Sequence, residues 1–117
     1  MIQLPAWLSL NERLALQAFA AALYERFDGQ VVSVHLFGSK ARGDFDADSD
    51  LDVMVLVTED DWRLARSISF LAAEVSLAND VLLSPKVVSL KRWNFLKREG
   101  FAIARNVQSE GLALDMA

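Results

Sequence analysis

The run Gly38-Ser39-Lys40-Ala41-Arg42-Gly43-Asp44-Phe45-Asp46-Ala47-Asp48-Ser49-Asp50-Leu51-Asp52 decides how this chain is read. Asp50 and Asp52 stand two apart at the entrance to a strongly apolar segment, so in a strand both carboxylates point to one face. Two like charges held that close are costly unless a cation compensates them. Mg²⁺ suits the need, because it takes hard oxygen ligands and is usually held by one or two carboxylates together with phosphates. At the other end of the run, Gly38 lets the backbone approach a ligand closely. If Ser39 opens a helical turn, its free amides point outward and bind an anion. The Ser39 hydroxyl adds a donor, and Lys40 and Arg42 add positive charge. A phosphate cradle joined to a metal pair points to metal-assisted chemistry on a nucleotide.

Two other readings fail on spacing. Aspartates at 46, 48, 50 and 52 suggest a calcium loop, but counting from Asp46 the sixth residue is Leu51 rather than glycine and the twelfth is Val57 rather than glutamate. A P-loop fails because no Gly-Lys-Ser/Thr follows the first glycine at the required distance. Asp44, Asp46 and Asp48 read as loop solvation, with Asp48 the one placed to reach a metal through water. Arg42 has a structural alternative, pairing with Asp44 or Asp48 to fix the loop. Lys40 is expected to be exposed.

Outward from this run the pattern is that of an α/β domain. Ser9 and Glu12 have capping-box spacing at the start of a first helix whose stripe is Leu16, Phe19, Leu23 and Phe27. Asp28-Gly29 ends it. Val31 to Phe37 is a first strand, broken by Gly38. Leu51 to Val57 is a second, apolar at nearly every position from Val53 onward, as a central strand covered on both faces should be. Thr58 is the expected cap of a second long helix, with Glu59, Asp60 and Asp61 in its positive first turn and Leu64, Ile68, Leu71 and Val75 as its buried stripe. Val81 to Ser89 is a third strand, opened by Asn79-Asp80. Pro85 makes it an edge strand or a broken one. Ser89 caps a further helix through Trp93 and Leu96, Gly100 interrupts it, and a last helix reaches Glu110 before a short strand at Leu112 to Leu114. The expectation is a small mixed β-sheet flanked by helices, in the order α-β-β-α-β-α-α.

Composition narrows the function classes. The 117 residues suggest one domain, 1–117. The absence of cysteine excludes disulfides, thiolate metal sites and a cysteine nucleophile. A net charge of −4 argues against general nucleic-acid binding, which needs cationic surface. No apolar run approaches membrane-spanning length, and Met1-Ile2-Gln3-Leu4-Pro5 lacks the pattern of a signal peptide, so a soluble, cytoplasmic protein is expected. His35 reads as a packed or edge residue of the first strand. Trp62, Trp93 and Phe101 read as core or interface, and Trp7 as a partly exposed contact for another chain. Lys91-Arg92 with Lys97-Arg98 is a solvated helical face that could also dock an acidic partner.

Gly38-Ser39, ten intervening residues, then Asp50-Leu51-Asp52 entering an apolar strand resembles the signature of the polymerase-beta-like nucleotidyltransferase superfamily. The filler, Gly-Ser-Lys-Ala-Arg-Gly-Asp and then Asp-Ser-Asp-Leu-Asp, is similar to that of its minimal nucleotidyltransferases. So are Val34-His35-Leu36-Phe37, Val87-Val88-Ser89, Trp93 and Glu110-Gly111-Leu112-Ala113-Leu114. The resemblance implies that family's fold. It implies two Mg²⁺ ions on Asp50 and Asp52, the ATP triphosphate at Gly38 and Ser39, and a third carboxylate from a neighbouring strand, for which Asp80 is the best candidate. Two ions stabilise both the entering and the leaving oxygen of an in-line displacement. Members of this size are often the antitoxin of a type VII toxin–antitoxin pair, transferring AMP to a tyrosine of a HEPN-type toxin. Two alternatives stay open: neutralisation of the partner by binding alone, and transfer to a small molecule. The apolar composition leaves a homodimer or hetero-oligomer open.

Overall fold

The computed structural model describes residues 4–46 and 48–114; Met1, Ile2, Gln3, Ala47 and residues 115–117 lie outside the described residues. Helix α1 is Leu10–Arg26 and begins with the expected capping box, in which Ser9 accepts from the Glu12 amide and Glu12 accepts from the Ser9 amide. Strand β1 is Val31–Phe37, and a single helical turn, α2, occupies Ser39–Arg42. Strand β2, Leu51–Val57, leads to helix α3, Trp62–Asn79. Strand β3 is Leu83–Ser89, followed by α4 (Leu90–Arg98), α5 (Ala102–Glu110) and β4 (Leu112–Ala113).

Two boundaries differ from the sequence reading. Asp61, not Thr58, caps α3, its carboxylate accepting from the amides of Arg63 and Leu64. A carboxylate at that position satisfies free amides and lies at the positive end of the helix. Asp80 does not open the third strand. It ends α3 in the left-handed conformation (φ 53°, ψ 46°), and β3 begins three residues later. Aspartate tolerates that conformation better than most residues.

The sheet has the order β3-β2-β1-β4 and is mixed. Strand β1 is antiparallel to β2 and β4, whereas β2 and β3 are parallel. Leu51, Val53, Val55 and Val57 of β2 pack with α1 and α3, while Met54 and Leu56 pack with Trp93 of α4 and with Ala104 and Val107 of α5. The strand is therefore buried on both faces, which explains its apolar run. Among the described residues, no helix is long and apolar enough to cross a membrane.

Strand β3 forms one edge of the sheet, as Pro85 suggests. The Leu82 carbonyl accepts from the Leu51 amide, so alternate backbone groups from there turn toward β2. The Leu83 amide turns away and donates to the buried Ser76 hydroxyl of α3. Pro85, two residues on, has no amide to leave unpaired. Ser76 also donates to the Ala72 carbonyl, so one hydroxyl ties α3 to the edge strand. Ser76→Ala strands the Leu83 amide and is expected to cost about 1–2 kcal/mol, measured as a lower urea midpoint at unchanged m-value.

Candidate active site

The site is built on the end of β2 and on the turn that leaves β1. Antiparallel register sets Phe37 opposite Asp52, which brings the next residue, Gly38, against the Asp52 side chain. A Cβ on Gly38 would collide with the Asp52 carboxylate. Gly38 also has φ 76° and ψ −160°, a region open essentially to glycine alone. Backbone geometry therefore fixes this residue as glycine, and any side chain there would also displace the Asp52 carboxylate. The turn Ser39–Arg42 begins at once, its Ala41 and Arg42 amides donating to the Gly38 carbonyl. The amides of Ser39 and Lys40 precede the first acceptor that a helix of this sense supplies.

Asp52 and Asp50 are both half-buried. The Asp52 carboxyl is raised above its ordinary 3.8, first by burial and then by the Asp50 charge, with Lys86 and Arg42 pulling the other way. The pair thus carries negative charge that the protein compensates incompletely. That donor set fits Mg²⁺ held by two carboxylates. Among the described residues, no three histidine, cysteine or carboxylate side chains come together to hold an ion. Asp80 stays outside such a group. It lines, with Asp50, Asp48, Glu12 and Lys40, a cavity of about 470 Å³ beside the pair.

Neither cation of the turn is free. Lys40, expected to be exposed, is buried: its ammonium lies 2.8 Å from Glu12 and 3.9 Å from the centre of the Phe45 ring. Arg42 takes its structural alternative, binding Asp44 through Nε and Glu110 at the end of α5 through a terminal nitrogen at 2.9 Å. The aspartates between these ends fix the loop, since Asp46 accepts from the Asp48 amide and the Ser49 hydroxyl. His35 lies half-buried within β1, its Nε2 3.0 Å from the Ser33 hydroxyl.

A family model of the nucleotidyltransferase domain matches residues 16–110. The chain belongs to this nucleotidyltransferase family. A relative in Methanocaldococcus jannaschii, MJ0604, provisionally named a protein adenylyltransferase, is 31% identical over 106 residues, covering 90% of this chain and 99% of its own. A second from that organism, MJ0141, provisionally given the same name, is 47% identical over 53 residues, or 44% of this chain and 54% of its own. A solved structure provisionally described as a minimal nucleotidyltransferase superposes with a TM-score of 0.54 at 25% identity, covering 92% of this chain and 98% of the other. A toxin–antitoxin structure with AMP-PNP shares the fold, with a TM-score of 0.56 at 21% identity over 86% of this chain and 73% of the other. The nucleotidyltransferase fold and activity expected from the run at 38–52 are thereby established.

Residues that the sequence reading does not assign to the site hold this nucleotidyltransferase motif in place. One Glu12 oxygen closes the capping box of α1 and the other takes Lys40. Trp7, though 47% exposed, donates its indole N–H to the Lys40 carbonyl at 2.7 Å and packs close over Gly43, 3.2 Å from where a Cβ there would stand. Trp7 thus has a role within the chain. The capping box is a local signal for Glu12; nothing local marks Trp7.

These carboxylates respond to acid in opposite senses. The folded protein holds the Asp52 proton more tightly than the unfolded chain, so ionising Asp52 costs stability. The cost is absent below the ordinary 3.8 and complete above the raised folded value. Asp52→Asn is therefore expected to raise Tm at neutral pH without metal, and the gain should vanish as pH falls below about 3.8. At Glu12, burial raises the pKa, but the Lys40 hydrogen bond and the Ser9 amide outweigh it and leave a net lowering. Its contribution is present above 4.5 and lost as pH falls through the lowered value. Lys40→Met strands the Glu12 charge and should cost about 2–3 kcal/mol at neutral pH. Adding Glu12→Gln should recover part of that loss in chemical denaturation.

Proposed function

We propose that this nucleotidyltransferase transfers AMP from ATP to a hydroxyl of a partner protein, a tyrosine of a HEPN-type toxin, and is the antitoxin of that pair. The observation that carries the reading is the contact of Gly38 with Asp52, which sets the phosphate cradle against the carboxylate pair. The relative provisionally named a protein adenylyltransferase supports a protein acceptor, because the likeness spans nearly all of both chains. The toxin–antitoxin neighbours include MntA-HpeT with two aspartates, two residues apart, changed to glutamate. That spacing is the spacing of Asp50 and Asp52.

In this reading the incoming hydroxyl oxygen forms a bond to the α-phosphorus of ATP, the bond to the β-phosphate oxygen breaks, and pyrophosphate leaves. Gly38 admits the phosphates close to the backbone, and the Ser39 amide and hydroxyl donate to them. Asp50 and Asp52 would hold Mg²⁺, which neutralises phosphate charge and favours ionisation of the hydroxyl when bound. Asp80, which lines the same cavity as Asp50, accepts the hydroxyl proton. Lys40 and Arg42 act on the phosphates only through the shape of the turn, since acids already hold both charges.

Incubating the chain with ATP, Mg²⁺ and the toxin candidate should add AMP to the toxin, seen by intact-mass spectrometry, and none with EDTA. Asp50→Asn and Asp52→Asn should each lower the rate by about a hundredfold or more. Toxin neutralised with no gain in mass would overturn the transfer reading in favour of binding alone.

A further inference from the structure

Strand β3 contributes to the carboxylate face in a way that its sequence does not announce. Parallel register sets Asp52 beside Ser84, Met54 beside Lys86 and Leu56 beside Val88. In-register neighbours share a face, so Ser84 and Lys86 stand on the face of Asp52. Further along that face, Met54, Leu56 and Val88 are covered by α4 and α5, whereas Lys86 is exposed and Ser84 half-buried. A β3 carboxylate sharing an ion with Asp52 would have to stand where Ser84 does. The strand offers a hydroxyl there and a cation two residues on.

Lys86 also differs from the other cations near the pair. Lys40 is held by Glu12, and Arg42 by Asp44 and Glu110. No ion pair joins Lys86 to an acid among the described residues, although its charge is felt at Asp52. A long, uncommitted ammonium on the rim of a carboxylate site is placed to meet an anion brought there by a ligand.

We infer that Lys86 contacts the β- and γ-phosphates of the nucleotide bound at Asp50 and Asp52, so that β3 supplies a phosphate-binding cation two residues beyond Ser84, the neighbour of Asp52. The inference rests on the nucleotide reading above. It makes Lys86 the main side-chain charge on the leaving pyrophosphate.

Titration calorimetry with Mg²⁺ tests it, using a non-hydrolysable ATP analogue and, separately, AMP. Lys86→Met should weaken binding of the analogue about tenfold, as for a hydrogen bond to a charged group, and leave AMP binding and Tm unchanged. Lys86→Arg should retain most of the affinity. If the wild type binds the analogue, Asp52→Asn weakens it and Lys86→Met does not, the role of Lys86 is overturned while the nucleotide site stands. If the wild type binds no nucleotide, both readings fall. Equal losses of analogue and AMP in Lys86→Met would also overturn the role, because the cation would not be reading the outer phosphates.

Discussion

The packing of Gly38 against the Asp52 carboxylate is the constraint on which the rest of the site depends. It follows from the antiparallel pairing of β1 with β2, which sets Phe37 across from Asp52. The loop between Gly38 and Asp50 is an excursion, and the sheet returns its two ends to one place. The turn after β1 and the carboxylate pair are therefore held together by hydrogen bonds of the sheet, not by the loop. The loop needs only to close, and its own aspartates and Ser49 do that locally.

The carboxylate pair is a local cost, and the surrounding contacts show how the fold carries it. Asp52 is half-buried beside a like charge at the end of a strand whose other residues are almost all buried. Apolar packing on both faces of β2 offsets that cost. Glu12 works in the opposite direction, since one side chain finishes α1 and anchors α2. Arg42 then fastens the turn to α5. The charged part of the molecule is braced from both layers of helices.

Local signals in the sequence report local structure well. The capping box at Ser9, the Ser89 cap and the apolar run of β2 all describe interactions between near neighbours, and each appears in the structure. Thr58 and Asp61 could both cap a helix, and only the fold decides between them. Asp80 is harder to place, because Val81 and Leu82 are apolar enough to extend a strand that begins at Leu83. Lys40 has its partner in Glu12, on another helix, so its burial has no local sign. Lys86 is hidden for a related reason: which residue stands beside Asp52 is a matter of strand register, and register comes only with the sheet.

The closed edge at β3 has a consequence for how this protein can be recognised. Ser76 occupies one outward amide and Pro85 removes the next, so a foreign strand finds few donors there. At the opposite edge, β4 is two residues long. A protein docking on the described surface would then find side chains to read more readily than a backbone ladder to extend.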